Sequence, residues 1–183
     1  MDAAVDATSV ASGLETSYDG VLTESALDAW IETLVAAETF AFDTETTSVD
    51  YMLAELVGVS FSCEAGKAAY VPFAHDYEGA PRQLDTDLVL NKLRGLLEDP
   101  ERTVIGQNLK YDISVLAKYG VRVKAKIFDT MLESYVLNSV ASRHNMDDLA
   151  LKYLGETTVH FEDIAGKGSK QLTFNQIEIA RAG

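Results

Sequence analysis

Apolar residues recur along this chain in two rhythms, and the switches between them mark out its elements. Leu27, Trp30, Ile31 and Leu34 fall at helical spacing behind Thr23 or Ser25, either of which can cap a helix that buries Trp30 as a core anchor. The run Thr39-Phe40-Ala41-Phe42-Asp43-Thr44-Glu45-Thr46 reads as the opening strand of a sheet. Leu56 to Phe61 and Ala68 to Phe73 read as two more, set off by the turn region 46–51, Gly66 and Pro72. Together the three predict an antiparallel meander. Residues 74–85, with His75, Gly79 and Pro81, read as a loop, and Leu88, Leu93, Leu96 and Leu97 as an amphipathic helix stopped at Asp99-Pro100.

The second half is mostly helical. Thr103 to Ile105 is a short strand, broken by Gly106-Gln107-Asn108. Leu109, Ile113, Leu116 and Ala117 then share a helix face running to about Lys118, with Gly120 as its stop signal. Val121 to Val123 reads as one more strand, Asp129 as the cap of a helix reaching Val140, and 146–153 and 174–181 as further helices. Strands followed by alternating strands and helices and a helical cap predict an α/β sandwich on a mixed sheet. Residues 1–16 are small, polar and acidic and read as a disordered arm or linker, which leaves 17–183 as one domain.

Composition narrows this picture. With 183 residues and 47% hydrophobic content, one core is affordable and a second would be cramped. The single cysteine, Cys63, excludes an internal disulfide or a cysteine-rich zinc site and suits a reducing compartment. No stretch is apolar enough to span a bilayer, and the acidic N-terminus lacks the features of a signal peptide, so a cytoplasmic protein with no membrane partner is expected. A net charge of -14 speaks against nucleic acid, yet it is uneven: Met1 to Glu45 holds no Lys or Arg, whereas Lys110, Lys118, Arg122, Lys124 and Lys126 cluster later. The loop Ile164-Ala165-Gly166-Lys167-Gly168-Ser169-Lys170 lacks Walker spacing but is basic enough to touch a phosphate backbone.

Candidate chemistry begins at Asp43 and Glu45. Alternation along the strand points them the same way, and Phe40 and Phe42 are expected on that face too. Adjacent acids repel unless a cation joins them, so the pair reads either as hard oxygen ligands for Mg²⁺ or Mn²⁺ or as a strand running into a Thr- and Ser-rich turn. Asp112 opens the helix after the Gly106-Gln107-Asn108 break. It reads either as a surface acid behind an Asn108 cap or as a third carboxylate. Three acids at element ends suit a two-metal phosphodiester site, with cations about 4 Å apart. Tyr111 is expected to pack beneath it, while His75, His144 and His160 lack paired spacing and Cys63 has no motif around it, so none of these four is assigned a catalytic role.

Four motifs stand in order: Phe42-Asp43-Thr44-Glu45-Thr46; Val104-Ile105-Gly106-Gln107-Asn108-Leu109-Lys110-Tyr111-Asp112; Phe128-Asp129-Thr130-Met131-Leu132-Glu133-Ser134-Tyr135; and Leu172-Thr173-Phe174-Asn175-Gln176. From about Tyr18 onward the chain closely resembles the proofreading 3'-5' exonuclease domain of family A DNA polymerases. The resemblance implies a ribonuclease H-like, three-layer fold and metal-dependent removal of mispaired nucleotides from a single-stranded or frayed DNA 3′ end. It implies a downstream polymerase domain as partner and a bacterial cytoplasmic setting near the nucleoid. Asp43 would be shared by both metals, Glu45 would also orient the attacking water, and Asp112 would hold the second metal mainly through water. Gln107 and Asn108 match positions near the terminal nucleotide, Arg143 matches a phosphate contact, and Val49 and Phe161 match apolar wedges against the terminal bases. Without the resemblance, the last two read as a loop valine and a core phenylalanine.

The family's third motif, Tyr-x-x-x-Asp, does not occur here: no tyrosine meets Asp four residues on, and the His-x-x-x-x-Asp variant fails at every histidine. The domain is therefore expected to be incomplete at its C-terminal side and impaired by itself. A catalytically silent structural module of a polymerase is the alternative, and a ribonuclease trimming RNA 3′ ends is a third reading.

Overall fold

In a computed structural model the described residues are 16–140 and 143–182. The expected acidic arm lies outside them up to residue 15. The first half runs β1 (Ser17–Gly20), α1 (Glu24–Ala36), β2 (Thr39–Thr46), β3 (Leu56–Glu64), β4 (Lys67–Pro72) and α2 (Thr86–Leu97). It continues with β5 (Thr103–Gly106), α3 (Leu109–Lys118), β6 (Lys126–Asp129), α4 (Thr130–Leu137), α5 (Met146–Leu154), α6 (Phe161–Ala165) and α7 (Ile179–Ala182). One six-stranded sheet has the order β1-β4-β3-β2-β5-β6. Its centre is the expected meander, β2 to β3 to β4, and β1, β5 and β6 join it in parallel.

One face of this sheet buries Phe40, Phe42, Val59, Phe61, Val71 and Val104 beneath α1, α2 and α3, whose Leu27, Leu34, Leu93, Leu97, Val115 and Leu116 complete the main core. The helices are held by their ends as well as their faces. Thr23 accepts from Ala26 N at 3.3 Å to start α1, and Asp85 accepts from Leu88 N at 3.1 Å to start α2. Arg102 donates to the carbonyls of Val35 and Ala37, each at 2.6 Å, so a cation closes α1 against the strand that follows. Trp30 anchors at the core's edge: its ring lies 5.6 Å from that of Phe61 and its Nε1 donates to Asp19. On the other sheet face Val57 and Tyr70 pack under Ala165, Phe174, Ile177 and Ile179.

Several boundaries differ from the pattern-based expectation. β1 is an exposed strand paired with β4 along the sheet edge, too short and too polar to show alternation. Residues 121–123 form no strand: Val121 N closes α3 on Leu116 O, and Lys124 and Ala125 both donate to Leu97 O. The pairing with β5 falls instead to Lys126–Asp129. The helix capped by Asp129 ends at Leu137, short of Val140. The helix expected across 174–181 is broken into a 3-10 turn at Phe174–Gln176 and α7, because Ile177 is buried and its carbonyl accepts from His75. Residues 161–165, partly read as loop, form α6.

Gly106 matters for close approach. A Cβ there would lie 2.8 Å from the Phe42 carbonyl and 2.5 Å from the Leu109 side chain. Gly106→Ala is expected to lower stability by about 1–3 kcal/mol, read as a lower urea midpoint at unchanged slope. An unchanged midpoint would show that β5 yields at no cost.

Candidate active site

β2 carries two chemistries because successive side chains leave it on opposite faces. Phe42 and Thr44 are buried with Phe40 on the helix-covered side, so, contrary to expectation, the phenylalanines lie on the face opposite Asp43 and Glu45. Asp43 and Glu45 emerge with Ala41 on the other side, across from Ser60 and Gly58 of β3. Gly58 is required there, since a Cβ would fall 2.3 Å from the Tyr70 hydroxyl. Tyr70 fills that space, donates to His75 Nε2 at 2.6 Å, and is pushed up by burial and by the neighbouring Glu45 charge. Imidazole Nδ1 lies 2.9 Å from the Ile177 carbonyl, so His75 is a buried structural link, with burial holding it below the usual imidazole range.

Asp112 is no surface acid: it is 3% exposed on the first turn of α3. Thr44 holds it, its backbone N–H donating at 3.0 Å and its hydroxyl at 2.6 Å to Asp112 Oδ1. The inward-facing residue between the two β2 acids thus fixes the third. Burial pushes Asp43 up to about 7, assisted by the Asp112 charge and opposed by the Thr44 backbone hydrogen bond. Burial likewise pushes Glu45 up to about 8, with the charges of Asp43 and Asp112 adding to it. Asp112 is raised by burial and by Asp129, against the pull of Thr44.

A cleft of about 500 Å³ opens beside Glu45, lined by Val49, Asn108, Tyr111, Phe161 and Phe174 among others. Val49 is 97% exposed, and Phe161 stacks on Phe174 with ring centres 6.3 Å apart. Tyr111 packs as expected, its hydroxyl bonded to Ser48 O and Thr46 Oγ1. Asn108 stands at the N-cap of α3 but forms no side-chain cap; it is left-handed (φ 59°) and borders the cleft. Gln107 lies elsewhere: it lines the hollow beside Asp43, with Nε2 donating to His144 O at 2.8 Å and Oε1 accepting from Thr130. Arg143 is exposed and is not among the cleft's lining residues.

The structure therefore gathers Asp43, Glu45 and Asp112 into one electrostatically coupled group and sets Val49, Asn108 and Phe161 around the adjoining cleft. Its donors are all hard oxygens, and two of them carry a repulsion that a divalent cation would relieve, so their chemistry suits a hard divalent cation. Among the described residues no group of three or more His, Cys, Asp or Glu side chains is arranged to hold a metal ion, and one Asp112 oxygen is already engaged by Thr44. Sequence reasoning missed Thr44 and Tyr70. Strict two-residue periodicity would have found Thr44, because it assigns that residue to the buried face of Phe40 and Phe42.

The chain matches the 3'-5' exonuclease family over residues 18–180. It is 58% identical to DNA polymerase I of Pseudomonas aeruginosa over 171 residues, 92% of this chain and 19% of that protein. DNA polymerase I of Rhizobium leguminosarum is 41% identical over 173 residues, 85% of this chain and 17% of its own length. The chain thus spans about a fifth of the curated relatives it matches. Among solved structures, Escherichia coli RNase D, an exoribonuclease involved in structured RNA processing, shares the fold at a TM-score of 0.64 and 18% identity, over 88% of this chain and 40% of that one. The expected ribonuclease H-like arrangement, a mixed sheet with an antiparallel meander flanked by helices, is the one observed. The chain belongs to the 3'-5' exonuclease family and corresponds to the 3'-5' exonuclease domain of DNA polymerase I.

Proposed function

We propose that this domain hydrolyses the 3′-terminal phosphodiester of single-stranded or frayed DNA with two divalent cations, Mg²⁺ or Mn²⁺, held by Asp43, Glu45 and Asp112. The observation that carries the reading is the coupled carboxylate group itself, two of whose members are raised to about 7 and about 8 beside an apolar-walled cleft. Bound cations would supply Lewis-acid activation of water and charge neutralisation at the departing oxygen. Asp43 is the shared ligand, and Glu45, on the cleft side, also orients the water. Asp112, with one oxygen anchored by Thr44, offers its other oxygen through water. Val49 and Phe161, which line the cleft, flank the terminal bases, and Asn108 faces the terminal nucleotide; the phosphate contact given to Arg143, an exposed residue outside that lining, rests on the family resemblance alone. Gln107 supports that turn through its bonds to Thr130 and His144.

The partner we propose is a polymerase portion of the same polypeptide, in the cytoplasm beside the nucleoid. None of the described helices is long and apolar enough to cross a membrane. The three carboxylates carry this reading without a Tyr-x-x-x-Asp motif, so slow turnover is expected of this chain by itself.

Digestion of a 5′-labelled single strand, as DNA and as RNA of the same sequence, tests the reading. Shortening from the 3′ end is expected with Mg²⁺ or Mn²⁺, faster on DNA, and Asp43→Ala is expected to reduce it by about 10²-fold or more. Unchanged activity in that variant would remove the catalytic assignment, and a preference for RNA would favour the ribonuclease reading. Mn²⁺ titration adds an arm independent of turnover: weak binding lost in Asp43→Ala is expected, and no binding by the native chain would favour a silent structural module.

The raised carboxyls also set a pH dependence. Their ordinary values are 3.8 for Asp43 and 4.5 for Glu45, against about 7 and about 8 in the folded chain. Between those limits the folded state holds protons that the unfolded state has released, so metal-free stability falls as pH rises and is lowest above about 8. The melting temperature in EDTA is expected to drop from pH 5.5 to 8.5, to drop less in Asp43→Asn, and to recover with Mn²⁺ at the upper pH. A profile identical in Asp43→Asn would contradict the coupling.

A further inference from the structure

We infer that Asp129 is a positioning residue that frees Asn108 from helix capping and holds it toward the terminal nucleotide; this rests on the 3′-end reading above. Asp129 ends β6 and is 7% exposed. Its Oδ1 accepts from Met131 N at 3.0 Å and Leu132 N at 3.3 Å, the ordinary work of a cap on α4. The same carboxylate turns to a second helix as well: Oδ1 accepts from Asn108 N at 3.1 Å and Oδ2 from Leu109 N at 2.9 Å. One acid therefore satisfies donors at the start of both α3 and α4.

The consequence falls on Asn108. It occupies the N-cap position of α3, where an asparagine side chain normally folds back onto the helix, yet it makes no such bond. It adopts φ 59° and ψ 41°, a left-handed conformation that asparagine tolerates better than most residues, and borders the cleft with Glu45 and Phe161. The neighbouring Thr130 hydroxyl lies 2.5 Å from Gln107 Oε1 and 3.2 Å from Gly106 O, so the Asp129-Thr130 pair grips the whole 106–109 turn. Parallel pairing of Gly106 with Asp129 sets the two in register. Asp112 has a separate anchor in Thr44, while Asp129 bears on it as a nearby negative charge.

That separation makes the role testable on the chain as it stands. The readouts are affinity for a 5′-fluorescein-labelled single-stranded DNA with a free 3′ hydroxyl, measured in Ca²⁺, and affinity for Mn²⁺ without DNA. The proteins are native, Asp129→Asn, Asn108→Gly (which keeps the left-handed turn) and the double variant. Each single variant is expected to weaken DNA binding by about fivefold to tenfold, with Mn²⁺ affinity held within about twofold as proof that the fold and the carboxylate group survive. The double variant is expected to bind no worse than Asn108→Gly, because Asp129 acts through that amide. Full DNA affinity in Asp129→Asn, losses that multiply in the double variant, or a parallel collapse of Mn²⁺ binding would each overturn the inference. A native chain that binds neither Mn²⁺ nor DNA would instead overturn the 3′-end reading, and this inference with it.

Discussion

Everything at this site depends on the alternation of β2. A central strand must bury one row of side chains, and here Phe40, Phe42 and Thr44 are that row. Asp43 and Glu45 are thereby committed to the opposite side, with no rotamer able to carry them into the main core. Because β2 lies between β3 and β5, those acids are desolvated by the sheet itself as well as by what covers it. The same backbone that stabilises the domain makes its carboxylates costly to ionise.

That cost is managed unevenly. Asp112 is the most buried of the three acids and receives both donors that Thr44 offers. These bonds favour its charged form and partly offset the burial penalty. The Thr44 backbone N–H also works against the rise at Asp43, while at Glu45 repulsion from Asp43 and Asp112 adds to burial. The group is an electrostatic strain that a divalent cation would relieve, which would tie ligand binding to stability through the same residues.

The rest of the architecture fixes where this strain is presented. Arg102 and the main core seat α1, α2 and β5, Gly106 lets the Phe42 carbonyl approach, and Asp129 sets the start of α3. Tyr70, His75 and Ile177 tie the far side of the sheet to the C-terminal segment, which brings Phe174 and Phe161 to the cleft wall. Short polar links between elements, rather than apolar burial alone, determine the outline of the site.

The sequence by itself determined the elements and the chemistry they carry. Two-residue and helical periodicities are local, so the meander, the first three helices and the placement of Asp43 and Glu45 on β2 and Asp112 at the start of α3 were legible, and the ordered motifs identified the family. Short or irregular pieces escaped, since β1, α6 and the broken 174–181 segment are too brief to show a period. Only the tertiary structure decided who partners whom. The Thr44 to Asp112 bonds join residues 68 apart, and Asp129 reaches back 20 and 21 positions to Leu109 and Asn108. Asn108, a capping candidate, thereby borders the cleft, and Gln107 is tied to Thr130 and His144. Desolvation and hydrogen-bond geometry arise from packing between distant segments, and no local pattern encodes them.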